Sequence, residues 1–210
     1  LTSISGYAEI IREGMVKSED VGRFAGKIYE EAQRLITLVE DILNLSHLDE
    51  GAPGQERRQG IDLYALCERA VASLAEAARQ RGIAISLTGS RQRVDGAEKL
   101  LAEIIFNLCD NAIKYNQENG HVAVSVTREG DRVVLTVQDT GIGIPPGETD
   151  RVFERFYRVD KSHSKASGGT GLGLSIVKEI IQAHGENIDV ISTAGVGSEF
   201  IFTLPRAVNL

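Results

Sequence analysis

Asn107 and Asn111 stand four residues apart in Asn107-Leu-Cys-Asp-Asn111-Ala-Ile-Lys114-Tyr115, a spacing that puts both amides on one helix face. Asparagine suits a helix interior poorly, because its amide competes for backbone groups, so two of them among apolar neighbours need a reason. Their neutral oxygens are hard ligands suited to Mg²⁺, a cation otherwise bound through water and substrate phosphates. The competing reading is an amide that caps a neighbouring loop. Asp139 ends an alternating strand just before a glycine turn. There it is either a turn aspartate or the acceptor for an exocyclic amine at the floor of a pocket.

Two glycine-rich segments accompany these residues, Asp139-Thr-Gly141-Ile-Gly143-Ile-Pro145 and Gly168-Gly-Thr170-Gly171-Leu172-Gly173-Leu174. Either could be an ordinary loop. The second runs into a helical pattern, and glycines feeding a helix start expose a run of N–H groups that can cradle an anion. Gly171 and Gly173 have no glycine three places later, which counts against a dinucleotide fingerprint, and no G-x-x-x-x-G-K-[ST] is present.

The elements that must position these residues follow from periodicity. Leu1, Ile4, Ala8, Ile11 and Met15 form one amphipathic stripe, and Val21, Phe24, Ile28, Leu35, Leu38, Ile42 and Leu45 form a second, with Glu31 its polar interruption. A polar turn at Lys17-Ser-Glu-Asp20 joins them into an antiparallel hairpin. Ile36, Val39 and Leu43 widen the second stripe beyond what one partner helix covers, which predicts a homodimeric four-helix bundle. Asp49 to Gly60, polar and carrying Pro53, reads as a linker.

Asp62 then caps a helix that runs to about Arg81 and stops at Gly82. Ile83 to Thr88 reads as a strand, Ala97 to Tyr115 as a long helix, and Val122–Val126 with Val133–Val137 as a hairpin about Glu129-Gly-Asp131. Gly171 to His184 is helical, and Ile188–Ser192 and Glu199–Leu204 are strands, the last ended by Pro205. The fold class is α+β: a helical hairpin followed by an α/β sandwich with helices on one face.

Composition narrows the function. The chain has 210 residues, with 23 basic and 30 acidic residues and a net charge of -7, which disfavours nucleic acid as a main partner. Cys67 and Cys109 fall in apolar helical patterns and read as buried small side chains in a reducing compartment. No stretch has the roughly 20 uncharged apolar residues of a membrane span, so this region is expected to be soluble, with no membrane contact. The first residues open directly in helical pattern without Met, as a cut N-terminus would.

Taken together, these motifs resemble bacterial sensor histidine kinases of two-component systems. Asn107 to Tyr115, Asp139 to Pro145, Phe153-Glu-Arg-Phe156-Tyr157-Arg158 and Gly169 to Leu174 stand in the order and spacing of that family's N, G1, F and G2 boxes. Leu1-Thr-Ser-Ile-Ser-Gly-Tyr is similar to the sequence that follows its phosphoacceptor box. The resemblance implies a dimerisation hairpin over 1–50, a linker over 51–60 and a catalytic domain over 61–206, of the fold shared with gyrase, Hsp90 and MutL ATPases. It implies ATP and Mg²⁺ as cofactors and a response-regulator receiver domain as partner.

The resemblance also implies roles. Asn111 would coordinate Mg²⁺ with Asn107 beside it, Lys114 would contact phosphate, and Tyr115 would pack near the nucleotide. Asp139 would accept from adenine N6, and Gly141 and Gly143 would leave room for the base. Gly169, Thr170, Gly171, Leu172, Gly173 and Leu174 would form the phosphate-side cradle. Residues 150–168 would be a lid anchored by Phe153, Phe156 and Tyr157, with Arg158 reaching the γ-phosphate; plain core packing is the other reading of the two phenylalanines. Arg155, Lys161, His163 and Lys165 are expected at the surface.

Two departures from the family pattern matter. The H-E-x-x-[TN]-P-like acceptor box is absent, and His47, His121, His163 and His184 do not replace it, so these residues are expected to bind ATP without phosphorylating themselves. Glu186 replaces a glycine common in relatives and is expected to alter a turn. Two rival functions are a non-catalytic regulator built on the same nucleotide fold and a gyrase-like ATPase. Such ATPases carry a water-activating glutamate at the position of Asn107, and an amide cannot act as that base.

Overall fold

The computed structural model describes residues 2–49, 59–159 and 170–207. Of the sequence-based expectations, most of the linker, Gly168 of the second glycine-rich segment, Gly169 of the expected phosphate-side cradle, and Lys161, His163 and Lys165 lie outside the described residues. The hairpin forms as its two stripes require: α1 spans Thr2–Arg12, α2 spans Val21–Asp49, and a single 3-10 turn at Ser18–Asp20 reverses the chain. Gly14, at φ 67°, ends α1, and the Met15 N–H returns to the Ile10 carbonyl at 3.0 Å, a left-handed glycine cap. Met15 therefore leaves the first stripe and is 74% exposed. Tyr7 and Phe24 meet edge to face between the helices, with ring centroids 5.7 Å apart.

Asp62 caps the third helix as its sequence position demands. Its side chain accepts the Ala65 N–H at 3.1 Å, and α3 then runs Leu63–Gln80. Leu63, Leu66, Cys67, Ala70, Leu74 and Ala78, at helical spacing, are its buried face. The sequence reading missed a small antiparallel pair in front of it, β1 (Gln59–Asp62) and β3 (Arg93–Gly96), so Gln59 and Gly60 belong to a strand and not to a linker.

Five further strands make the main sheet: β2 (Ala84–Gly89), β4 (His121–Glu129), β5 (Arg132–Asp139), β6 (Ile188–Thr193) and β7 (Gly197–Pro205). Their order is β2-β4-β5-β7-β6. β2 and β4 pair in parallel, which requires a crossover, and α4 (Glu98–Lys114) lies within it; the other pairs are antiparallel. Alternate residues Val122, Val124, Val126, Val133, Leu135, Val137, Phe200, Phe202 and Leu204 point to one face. There they meet the buried sides of α3, α4 and α5 (Gly173–Ala183). Both cysteines are fully enclosed in this core, and burial pushes their thiols well above the ordinary range.

α2 packs along α5 and lays Leu38 against the same core. The rest of its apolar stripe, Ile36, Val39, Ile42 and Leu43, stays about half exposed. No helix among the described residues is long and apolar enough to cross a membrane.

Candidate functional site

A cavity of about 830 Å³ opens between α4, the loop after β5 and the start of α5. The polar residues of α4 that line it are Glu103, Asn107, Asp110, Asn111 and Lys114, which fall on one helix face because Asn107 is four from Glu103 and Asn111, and Lys114 is four from Asp110 and three from Asn111. Asn107 Nδ2 donates to the Glu103 carbonyl at 3.0 Å, which satisfies the amide nitrogen within the helix. Its oxygen is thereby turned toward α5: a Cβ added to Gly173 would meet Asn107 Oδ1 at 2.9 Å, so only glycine permits that approach. This places a hard neutral oxygen beside a helix start that has no side-chain cap, a point suited to a cation shared with phosphate.

Asp139 lines the same cavity. It closes β5 in register with Ser198 of β7, and the Gly141 N–H donates to its Oδ1 at 2.8 Å. Burial raises its carboxyl pKa above the ordinary value, while the Gly141 and Ser198 N–H groups pull the other way. Asp139 is thus a half-buried acceptor on the cavity wall, which Ser198 and Phe200 also line. The loop that follows is fixed by the β6–β7 turn: Gly195 N–H donates to the Ile142 carbonyl at 2.7 Å, and Ile144 N–H to Ser192 Oγ at 2.8 Å. Gly143, at φ 64°, faces the Thr193 carbonyl, which a Cβ would approach to 2.1 Å. The backbone of the protein itself thus excludes a side chain there.

The described segment over 150–158 is anchored unevenly. Phe153 is buried and meets Phe200 edge to face at 6.3 Å, and Lys178 lies 5.5 Å from its ring. Tyr157 is held by Arg151, whose guanidinium is 4.2 Å from the ring centroid. Phe156 departs from the expected anchor: it is 59% exposed at φ 64°, a left-handed conformation costly for an aromatic residue. Its N–H donates to the Gly171 carbonyl at 2.9 Å, so the residue acts through its backbone, closing the base of the intervening segment. Arg155 lies at the surface as expected, its side chain 43% exposed, and pairs there with Glu179 of α5 at 2.7 Å.

Most of the residues expected at the site line this cavity: Asn107, Asn111, Lys114, Tyr115, Asp139, Gly143, Arg158, Thr170, Gly171, Gly173 and Leu174. Leu172 does not; standing just before α5, it is fully buried in the core. Gly141 sits behind the wall and orients Asp139. Arg81, Thr37 and Ser198 line the cavity as well, beyond the residues expected from the sequence. Arg81 donates to the Lys114 carbonyl at 2.9 Å and so holds the last turn of α4; Thr37 of α2 stands at the rim. The Gly195-Val-Gly197 spacing before β7 was the signal for the turn that clasps the loop. Glu186 pairs with Arg132 and Thr203, tying the turn after α5 to the sheet as a structural link.

Comparison with known proteins agrees with this geometry. Residues 96–208 match the family described as histidine kinase-, DNA gyrase B-, and HSP90-like ATPase, and residues 1–51 match the His kinase A (phospho-acceptor) domain. The chain belongs to this ATPase family, and with that hairpin in front of it, to the bacterial sensor histidine kinases. It is 36% identical to the sensor histidine kinase WalK of Bacillus subtilis over 209 residues, covering 98% of this chain and 34% of the relative. It is 38% identical to the sensor-like histidine kinase SenX3 of Mycobacterium tuberculosis, over 96% of this chain and 49% of the relative. Full-length ShkA, solved in complex with AMPPNP, superposes with a TM-score of 0.76 at 28% identity, over 99% of this chain and 43% of that one. The chain thus spans a third to a half of the length of these proteins.

Proposed function

We propose that these residues form the kinase core of a two-component sensor, which binds ATP with Mg²⁺ and passes the γ-phosphoryl group to a histidine and then to a response-regulator aspartate. The observation that carries this reading is that a half-buried acceptor, Asp139, and the Asn107–Asn111–Lys114 face line one and the same cavity. Asp139 takes the adenine N6–H, Tyr115 packs by the base, and Lys114, Arg158 and Thr170 to Leu174 hold the phosphates. The oxygens of Asn107 and Asn111 would hold the metal, which neutralises charge on the phosphates when bound.

In the first transfer the bond from the γ-phosphorus to the bridging oxygen breaks, a bond to an imidazole nitrogen forms, and ADP leaves. Arg158 stabilises the charge that gathers on the transferring group. In the second, the nitrogen–phosphorus bond breaks and a carboxylate oxygen takes the phosphoryl group. The exposed α2 stripe supports a homodimer through the hairpin, with a receiver domain as the further partner and the cytoplasm as the compartment. In this reading the hairpin covers 1–50 and the catalytic domain begins at β1.

Calorimetric titration with MgATP tests the site. Binding is expected in the micromolar-to-millimolar range and is lost in Asp139→Asn and in Asn111→Ala; unchanged binding in both variants refutes it. A longer chain carrying an H-E-x-x-[TN]-P-like box before Leu1 is expected to take up acid-labile, alkali-stable ³²P from γ-labelled ATP, and the present residues are not. A non-catalytic binding module would label in neither form.

A further inference from the structure

The cavity-facing stripe of α4 carries a carboxylate that nucleotide binding does not obviously need. Asp110 Oδ2 lies 2.6 Å from Lys114 Nζ, and the two side chains are only 24% and 33% exposed. An acid four residues before a lysine is the favourable orientation on a helix, so the pair is preorganised. Both residues line the cavity. By contrast, Glu76 and Arg79 on α3 make a similar pair at 2.6 Å with side chains 59% and 75% exposed, where solvent screens the attraction.

Lys114 therefore already holds an anion at the place where phosphate is expected, an argument that rests on the nucleotide reading above. A phosphate oxygen reaching Lys114 from the cavity also approaches Asp110, and the like charges repel. Of the other charged groups on the wall, Arg81 is engaged with the Lys114 carbonyl and Asp139 Oδ1 with the Gly141 N–H. Glu103 lies on the far side of Asn107 along the helix, and Arg158 belongs to the segment after β5. A divalent cation at Asn107 and Asn111 would sit on the same stripe as Asp110, where it offsets both the carboxylate and the phosphate.

We propose that Asp110 is a specificity-determining residue that makes the grip of Lys114 on a triphosphate depend on a divalent cation, so that metal-loaded nucleotide is accepted and metal-free nucleotide rejected. Removing the carboxylate frees Lys114 for phosphate and lifts the repulsion. The gain falls on the metal-free ligand, because the cation already cancels that repulsion in the loaded one.

The test is calorimetric titration of the chain with ATP, once in excess MgCl₂ and once in excess EDTA. Asp110→Asn is expected to bind metal-free ATP about 10-fold more tightly than the parent, with MgATP changed by less than about 3-fold. Asp110→Ser repeats the measurement should the first variant fold poorly, and Asp110→Glu restores the parental ratio of the two affinities. An unchanged ratio in the folded variants, or equal weakening of both forms, overturns the proposal. A parent chain that binds ATP in neither condition overturns the nucleotide reading itself, so the two failures are distinguishable.

Discussion

Gly173 and Asn107 are in such close approach that a Cβ on the glycine would lie 2.9 Å from the amide oxygen. The first residue of α5 and the upper asparagine of α4 thus define one point, where a helix N-terminus and a neutral oxygen face the same part of the cavity. Gly173→Ala forces the amide aside by a few tenths of an ångström or more while adding a favourable helix residue. The expected outcome is about a 10-fold loss of MgATP affinity, set by the misplaced ligand, with a melting temperature within a few degrees of the parent. Calorimetry and thermal denaturation read the two effects separately; full affinity in the variant would show that this contact does not position the site.

Asp139 makes nucleotide binding depend on pH in a definite direction. Burial raises its pKa, so on acidification the carboxyl takes up a proton at a higher pH than an ordinary aspartate does, and an acceptor for the adenine amine is lost. ATP affinity is therefore expected to fall as the pH drops through that raised value. The stability sign is opposite. The folded chain binds this proton more readily than the unfolded chain, so the contribution of Asp139 to stability is present at low pH and declines as the pH rises through the raised pKa. Titrations between pH 4 and pH 8 check the first effect, and a pH-independent affinity across that range would rule out Asp139 as the acceptor.

What the sequence made legible was mainly local. The Asp62 cap, the Gly130–Asp131 hairpin turn and the Pro205 stop each depend on neighbours a few residues away, and each element lies where its signals put it. The β1–β3 pair was illegible because each strand is four residues long and its partner lies more than 30 residues away. The burial along β3 alternates, but over four residues only, and one of its two buried positions is a glycine with no apolar side chain to signal it. In the site, Asn107, Asn111 and Asp139 were readable because amides on an apolar helix and a carboxylate before glycines are locally unusual. The burial of Leu172 and the exposure of Phe156 were not, since both depend on how the chain turns at Gly171, a tertiary event with no residue pattern of its own. Asp110 was within reach, as it shares a helical face with Lys114.

The exposed face of α2 makes a prediction about assembly. Ile36, Val39, Ile42 and Leu43 are 45 to 54% exposed in a single chain, a contiguous apolar stripe that water disfavours. A double substitution, Ile36→Asp with Leu43→Asp, is expected to convert a dimer to a monomer in light scattering after size exclusion. ATP binding should stay within about 3-fold, because neither residue lines the cavity. A parent chain that is monomeric at high micromolar concentration would leave the stripe without the assigned partner and sink this prediction.

Arg155 and Glu179 fix the segment after β5 to α5. Arg155 Nη2 and Nε donate to Glu179 Oε1 at 2.7 and 3.0 Å, and Glu179 Oε2 is enclosed with no donor among the described residues. A carboxylate this placed depends on its one guanidinium, so Arg155→Ala leaves a half-buried charge uncompensated and is expected to cost about 2 kcal/mol. Glu179→Gln removes that charge, and in the double variant much of the loss should return, because nothing charged is then left behind. Urea denaturation of the two single variants and the double variant closes the cycle. If the two losses simply add, the pair contributes no coupling, and the anchoring rests on Phe153 and on the backbone bond from Phe156 to Gly171 instead.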